Sequence, residues 1–273
     1  MIFNPNKVAF GRHESFALRY GWLTKGFQAF SNDPGIFSDD EATVILGVGK
    51  NMVNAIRYWL QATQIVKRTA QGLEVNELGQ LIFGEDGYDP YLEDEATIWL
   101  LHWQLASNPE LATAWFWFFN RFHKPEFTGQ EVASSLIDFA RENVASKFSV
   151  TTVKNDALVV LRMYSPSKGI GRTPIEEALD SPLSLLGLVT QNPGGRSYLS
   201  APAERETLPI GIVAYALAQI FNVSGKQQMP IEELMYGKSG MPALGAVFRL
   251  TENGLLLKLE KLAQQFPEKF SIR

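Results

Sequence analysis

The run Arg12-His13-Glu14 is the first group of side chains whose types and spacing suit acid–base chemistry. His13 would act as a general base, Glu14 as the carboxylate that orients it or binds a metal, and Arg12 as an anion ligand. In the structural alternative, Glu14 and Ser15 cap a following helix while His13 tethers the N-terminus. Spacing alone favours the structural alternative, so a catalytic pair of His13 and Glu14 needs support from elsewhere.

A second group consists of closely spaced carboxylates. Its members are Asp86, Asp89, Glu93, Asp94 and Glu95. Hard oxygen ligands suit Mg²⁺, which usually takes one or two carboxylates together with waters and phosphate oxygens. Such an ion generates hydroxide and stabilises the leaving oxygen in phosphodiester cleavage. We take Asp89, Glu93 and Asp94 as candidate magnesium ligands. In the alternative, these acids are exposed loop charges and helix-start residues stabilised by the helix dipole. Sequence alone favours the alternative.

The composition excludes several classes of protein. The chain has no cysteine, which excludes a disulfide framework, a thiolate metal site and a cysteine nucleophile. Its three histidines, His13, His102 and His123, would nearly all be needed for a multi-histidine metal site. Hydrophobic residues make up 45% of the 273 residues, enough for a substantial core. The sequence shows neither a membrane span nor a secretory signal, so a soluble, cytoplasmic protein with no membrane partner is expected.

Charge is distributed unevenly along the chain. Residues 69–120 contain nine acidic residues and no lysine or arginine, whereas residues 1–68 are slightly basic. The formal net charge of −4 argues against a protein that coats nucleic acid by charge alone. A local basic face that reads nucleic acid is compatible with this distribution.

The order of elements between residues 39 and 83 is typical of a winged helix-turn-helix. The pattern predicts a helix over 39–46, a turn at Gly47-Val48-Gly49 and a second helix over 50–63. Two short strands around a glycine turn follow at 65–75, and Asn76 caps a helix that ends at Phe83. A further helix over 15–30 precedes this unit.

This unit predicts a set of contacts with duplex DNA. The outer face of the second helix shows Asn51, Asn54, Arg57, Tyr58 and Gln61. Lys50, Asn54, Arg57 and Gln61 would face the major groove, where arginine pairs with guanine and asparagine with adenine. Lys67 and Arg68 on the hairpin would lie against backbone phosphates. The alternative is a winged helix that only binds protein or builds a scaffold.

The remaining chain is predicted to be helical, with a domain boundary near 124–128. We therefore expect an N-terminal DNA-binding domain over 1–125, with an acidic and aromatic helical extension, and a helical C-terminal domain over 126–273. The segment Phe248–Leu256 imitates Leu73–Leu81, which hints at a second winged-helix-like unit ending in a helix over 255–266. The predicted fold class is mainly α with short β hairpins. Elsewhere the patterns predict a buried aromatic helix over 111–122, helices over 128–146, 153–164, 209–221 and 230–236, and basic loops at 166–173 and 192–206.

Five stretches of the chain resemble, in order, a bacterial family of domains of unknown function that includes the SspB-like component of DNA phosphorothioation systems. They are FGRHESFALRYGWLTKG (10–26), VGKNMVNAIRYWL (48–60), GYDPYLEDEATIWLLHWQL (87–105), WFWFFN (115–120) and TVKNDALVVLRMY (152–164). The family commonly opens with Phe-Ser-Gly-His-Glu-Thr-Phe. Here Gly11-Arg12 stands where that opening more often has Ser-Gly, which leaves any role of Arg12 open.

The resemblance implies a protein that nicks double-stranded DNA, opening one strand for sulfur insertion in a system that defends against phage. Together with the acidic cluster, this leads us to expect nicking that depends on Mg²⁺. It also implies three protein partners: a cysteine desulfurase, an ATP-pyrophosphatase-type enzyme and an ATPase. It strengthens His13 with Glu14, and Asp89 with Glu93 and Asp94, as site candidates. Two other functions are compatible with the sequence: a non-catalytic DNA-binding adaptor that recruits the modification enzymes, and a transcriptional regulator.

Overall fold

Most of the fold consists of helices, as expected from apolar residues at helical spacing. The computed structural model describes residues 1–165, 181–238 and 240–272. These residues form twelve α-helices and five short strands. The helices are α1 (Trp22–Asn32), α2 (Ala42–Leu46), α3 (Lys50–Ala62), α4 (Glu77–Phe83), α5 (Glu95–Ala106), α6 (Thr113–Asn120), α7 (Gly129–Asn143), α8 (Val150–Tyr164), α9 (Ile210–Ser224), α10 (Ile231–Tyr236), α11 (Leu244–Phe248) and α12 (Glu252–Gln265). The fold is therefore mainly α with short β hairpins, as the sequence predicts.

The strands form two small antiparallel sheets. They are β1 (Val66–Thr69), β2 (Gly72–Val75), β3 (Glu126–Phe127), β4 (Thr190–Gln191) and β5 (Tyr198–Leu199). β1 and β2 form a hairpin in which Val66 pairs with Val75 and Thr69 with Gly72. The second sheet has the order β3-β5-β4, so its central strand is the last in the chain. Short 3₁₀ helices occur at Ile36–Ser38 and Pro182–Leu186.

The N-terminal elements follow the predicted order of helix, turn, helix, hairpin and capped helix. α2 ends at Gly47, whose φ of 62° is left-handed and suits glycine. The inner face of α3 buries Ile56 and Trp59. α1 packs closely on it, because a Cβ on Gly26 would lie 2.5 Å from the Ile56 methyl carbon. Asn76 caps α4 as predicted, accepting a hydrogen bond from the Glu77 backbone N–H at 3.0 Å.

The segment before α1 corrects the prediction of a helix over 15–30. The helix begins only at Trp22, and its N-cap residue, Gly21, makes no side-chain capping bond. Glu14 and Ser15 have φ values of 50° and 64°, in the left-handed region that interrupts a regular helix. Neither residue therefore caps α1, and tertiary contacts hold this segment instead.

The aromatic segment predicted to be buried is buried on all sides as α6, which packs against α5. His102 on α5 joins three helices: its Nε2 is 2.8 Å from the Val247 carbonyl oxygen and its Nδ1 is 2.8 Å from the Tyr164 hydroxyl. A carbonyl only accepts, so Nε2 carries the proton and Nδ1 accepts from Tyr164. Burial, the main cause, lowers the pKa of His102 to about 3, which keeps the ring neutral.

A buried arginine closes the other end of α6. The guanidinium of Arg249 donates to the carbonyl oxygens of Phe118 at 2.9 Å, Phe119 at 3.2 Å and Phe122 at 2.9 Å, and to the Ser200 hydroxyl at 3.1 Å. These carbonyls belong to the C-terminal end of the helix, where the dipole favours a cation. Burial lowers the pKa of Arg249 to about 10, so the side chain stays charged at neutral pH.

The predicted second winged-helix-like unit at 248–266 is only partly present. Phe248 ends α11, Arg249 is left-handed at φ 49°, and Leu250 makes an isolated parallel bridge with Ala203. The described residues contain no hairpin there, so the predicted strand is wrong. The second half of the prediction holds, because Thr251 accepts a hydrogen bond from the Gly254 N–H at 3.0 Å and caps α12.

Contacts cross the predicted boundary near residue 125. Asn120 accepts a hydrogen bond from the Ala243 N–H at 3.0 Å, in addition to the Arg249 contacts with α6. The division into 1–125 and 126–273 stays a prediction. The basic loop predicted at 166–173 lies outside the described residues, and within the described part of the chain no helix has the length and apolar character to cross a membrane.

We expect His102 to make stability depend on pH. The folded ring has a pKa of about 3, whereas an unfolded histidine titrates near 6.5 and binds a proton that the folded state rejects. The free energy of unfolding should fall as the pH drops from about 6.5 towards 3, by up to about 1.4 kcal/mol per pH unit. His102→Gln should remove this slope, measured by urea denaturation between pH 7 and about 4.5.

His123→Gln is the comparison variant: desolvation also lowers the pKa of His123, but this residue is exposed, whereas His102 is fully buried. This variant should keep most of the slope of the natural sequence. An equal slope in the natural protein and in His102→Gln would contradict the assignment.

Candidate functional site

The helix–turn–helix and the first strand of the following hairpin contain no acidic residue, whereas the second strand contains Glu74. Residues 42–73 contain four basic residues and no aspartate or glutamate. The basic residues are Lys50, Arg57, Lys67 and Arg68. Lys50, Lys67 and Arg68 are exposed and Arg57 is half-buried. This surface is the most direct candidate for contact with a polyanion.

The outer face of α3 presents fewer groups than the sequence predicts. Asn54 is exposed, whereas Gln61 donates from its Nε2 to the Arg57 carbonyl oxygen at 3.0 Å. Tyr58, predicted to face outward, is 7% exposed and donates its hydroxyl to the Leu111 carbonyl oxygen at 2.8 Å. Burial raises the pKa of Tyr58 well above its usual value, and Asp156 raises it further. Tyr58 is therefore a packing residue, and a helical wheel alone did not show this because Leu111 lies in a distant segment.

The two hairpin cations lie on opposite faces of the hairpin. Adjacent residues on a strand point to opposite sides of the sheet, so Lys67 and Arg68 diverge. Lys67 pairs in register with Glu74, whose carboxylate also accepts a hydrogen bond from the Thr69 hydroxyl at 3.0 Å. One face of the hairpin thus combines Lys67 with an acid, and the other presents Arg68.

His13 pairs with an aspartate that lies far away in the sequence rather than with Glu14. Its Nε2 lies 3.0 Å from Oδ1 of Asp156 on α8, and each side chain is 1% exposed. A carboxylate only accepts, so Nε2 carries a proton. The ring stacks on Trp59 of α3 with centroids 5.9 Å apart and meets the edge of Trp115 on α6 at 5.6 Å. His13 Nδ1 is buried and meets no hydrogen-bond partner among the residues that the structure describes.

The backbone around His13 is anchored to the same aspartate. The Gly11 N–H donates to both carboxylate oxygens of Asp156 at 3.0 Å. Gly11 has a left-handed φ of 71°, and a Cβ there would lie 2.5 Å from the Thr152 methyl carbon. Because this contact fixes the loop, Arg12 and Glu14 are held exposed at its surface.

Asp156 is a site residue that the sequence analysis missed. It lies on the apolar stripe of α8 with Val153, Ala157 and Val160, all buried. An acid on an otherwise apolar helix face costs free energy unless it has a partner, so its position is a usable sequence signal for a buried polar contact. Sequence alone does not identify His13 as that partner.

The acidic cluster mainly organises its own loop. Asp89 is 6% exposed and accepts hydrogen bonds from the backbone N–H groups of Glu93 at 2.8 Å and Asp94 at 3.1 Å. Asp94 is the N-cap of α5 and accepts from the Ala96 N–H at 2.8 Å. Among the described residues, no group of three or more His, Cys, Asp or Glu side chains is placed to hold a metal ion. Glu93 and Asp94 are exposed, so they offer one or two carboxylates to an ion held largely by water and phosphate oxygens.

We expect a double-mutant cycle on His13→Gln and Asp156→Asn to reveal strong coupling. Both side chains are buried, so each single change leaves the other without its partner. The coupling free energy should be about 1–3 kcal/mol, measured by urea denaturation of the two single variants and the double variant. Additive effects would show that the contact does not stabilise the fold.

Two solved structures resemble this chain over nearly its whole length. A magnesium ion-bound SspB crystal structure superposes with a TM-score of 0.83 at 28% sequence identity, covering 95% of this chain and 79% of that chain. A second SspB crystal structure gives a TM-score of 0.82 at 28% identity, covering 97% and 81%. No curated protein matches the chain. The family described as "Protein of unknown function (DUF4007)" matches residues 10–273, and the chain therefore belongs to that family.

Proposed function

We propose that this protein is the DNA-binding and DNA-nicking component of a bacterial DNA phosphorothioation system, acting with Mg²⁺. The observation that carries DNA binding is the acid-free segment 42–73, which combines a helix–turn–helix with the first, cationic strand of a hairpin. The likeness to SspB over nearly the whole chain supports the phosphorothioation context.

DNA binding follows from charge and shape. An α-helix fits the major groove, and α3 contains no acid that would repel phosphates. Lys50 and Asn54 are exposed and free to approach base edges, while Arg57 is half-buried. On the hairpin, Arg68 would contact the phosphates of the DNA backbone. Lys67 would contribute less to phosphate binding, because it lies opposite Glu74. This arrangement supports our assignment of residues 22–83 to a winged helix-turn-helix.

The catalytic proposal rests on exposed groups. Glu14 is exposed beside Arg12, which gives it access to a phosphodiester. His13 is 1% exposed, so we assign it a positioning role that holds the Arg12–Glu14 loop in place. Mg²⁺, when bound, would supply activation of water and stabilisation of the leaving oxygen. Glu93 and Asp94 are the residues that would hold it, and Asp89 keeps their backbone in place.

The same context suggests partners. Opening one strand of double-stranded DNA prepares a site where sulfur can be inserted, and this chain has no cysteine that would carry the sulfur. We propose that a cysteine desulfurase, an ATP-pyrophosphatase-type enzyme and an ATPase perform the remaining steps.

A non-catalytic adaptor is the second candidate. The acidic cluster favours this candidate, because the carboxylates of Asp89 and Asp94 already accept hydrogen bonds from backbone N–H groups and are less available as metal ligands. An adaptor would need the DNA surface but neither Glu14 nor a metal.

The DNA surface is tested by Lys67→Ala combined with Arg68→Ala. Removing phosphate contacts should weaken binding to every duplex sequence by about tenfold and reduce the slope of log affinity against log salt by about 1 to 2. Fluorescence anisotropy with a short duplex at several salt concentrations measures both quantities. Lys261→Ala combined with Lys269→Ala removes two exposed cations of the C-terminal region and is the matched control. If affinity and slope stay unchanged in the hairpin variant, the hairpin does not contact DNA.

Nicking is tested on supercoiled plasmid with Mg²⁺, with EDTA as the negative condition. Glu14→Gln, or Glu93→Gln combined with Asp94→Asn, should lower the rate of open-circle formation by about 100-fold or more while duplex affinity is kept. Glu268→Gln, an exposed acid near the C-terminus, is the control. Full activity in both site variants would eliminate these residues, and duplex binding without nicking in the presence of the partner enzymes would favour the adaptor.

A further inference from the structure

We propose a second duplex-DNA-binding surface, formed by the exposed face of α8 and by Arg196 at the tip of the β4–β5 hairpin. The proposal rests on the proposed DNA-binding function and extends it from one unit to two. It concerns the described residues 113–165 and 181–199, which differ from the segment at 248–266 where the sequence predicted a second unit.

The topology of this region is the first argument. Among the described residues the chain runs through α6, β3, α7, α8, the 3₁₀ helix Pro182–Leu186, β4 and β5, and β3 pairs with β5, which pairs with β4. These helices and strands follow the order and strand pairing of a winged helix, except that residues 165–189, which include the 3₁₀ helix, lie between α8 and the hairpin. The sheet extends beyond its strands, because the Ser200 N–H donates to the Pro125 carbonyl oxygen at 2.8 Å. In this arrangement α8 takes the place of the helix that reads DNA.

The exposed face of α8 is the second argument. Its residues recur at helical spacing and form one polar and cationic stripe. They are Thr151, Lys154, Asn155, Leu158 and Arg162, all exposed. The single acid of α8, Asp156, is 1% exposed and pairs with His13 on the opposite, buried side. The stripe therefore contains two cations and no negative charge.

Two flanking cations extend this surface. Lys147 is exposed in the connection between α7 and α8, and Arg196 is exposed in the turn between β4 and β5. A hydrogen bond from the Asn192 N–H to the Ser197 carbonyl oxygen, 2.9 Å, closes that turn. Two of the three acids of α7, Asp138 and Glu142, line a groove of about 650 Å³ with Trp117 and Phe139, and the third, Glu131, pairs with Lys124. Beside Arg196, Glu126 of β3 accepts hydrogen bonds from the Asn192 side-chain amide at 2.9 Å and from the Ser197 hydroxyl at 3.0 Å.

The chemistry of the stripe fits duplex DNA. Arg162 and Asn155 can make the bidentate contacts that distinguish guanine and adenine in the major groove, and Leu158, which is 39% exposed, can meet a thymine methyl group. Lys154 and Arg196 can contact phosphates on either side. Double-stranded RNA is a poorer fit, because its deep and narrow major groove does not admit a helix.

The test uses the full chain with Lys154→Ala combined with Arg162→Ala. Binding to duplex DNA should weaken by about tenfold or more, and the salt slope should fall by about 2, compared with Lys261→Ala combined with Lys269→Ala. Asn155→Asp adds a negative charge at a single exposed position and should weaken binding in the same direction. Circular dichroism should stay unchanged in all of these variants.

The outcomes separate this proposal from the first DNA surface. If the hairpin variant of β1 weakens binding and neither α8 variant does, the second surface is overturned while the proposed DNA-binding function stands. If the α8 variants weaken duplex binding as expected, the second surface is supported. Absence of duplex binding by the natural protein overturns both. Equal competition by double-stranded RNA of the same sequence overturns the assignment of α8 to the DNA major groove.

Discussion

The contact between His13 and Asp156 determines how the N-terminal loop, α3 and α8 are placed relative to one another. His13 stacks on Trp59 of α3 while its Nε2 bonds to Asp156 of α8 at 3.0 Å. A buried carboxylate and an imidazole are costly to desolvate, so any packing that separates them leaves unpaired polar groups. The contact therefore favours one arrangement of the two helices whose outer faces we assign to DNA. Two surfaces held rigidly on one body gain affinity when a single duplex can engage both.

Two other buried polar side chains act in the same way around α6. His102 joins α5 to Tyr164 of α8 and to the Val247 carbonyl of α11, and Arg249 binds the last carbonyls of α6. Since each of these groups must keep its partners, they specify how the aromatic helices pack, which apolar contacts alone specify less sharply. The apolar core supplies most of the stabilising free energy, and the three polar contacts select its geometry.

The parts of the fold that sequence predicted are those with local signals. The Gly47 turn, the Asn76 cap and the capping box of Thr128 with Glu131 each depend on residues within a few positions. The loop that presents Glu14 was missed because its anchor, Asp156, is separated from His13 by 143 positions. β3 and β5 were missed because each has two residues and no periodicity can appear over so short a span.

The acidic residues also explain why the cationic surfaces are available. Asp89 and Asp94 are engaged by backbone N–H groups, and Glu95 accepts the indole N–H of Trp99 at 3.2 Å. Asp156 is engaged by His13. The hydrogen bonds of these acids hold them in place and stabilise the fold. None of these acids lies between residues 42 and 73 or on the exposed face of α8. A chain with a net charge of −4 can therefore present locally cationic surfaces to a polyanion, because with a Debye length of about 8 Å it is the local distribution of charge that a DNA backbone meets.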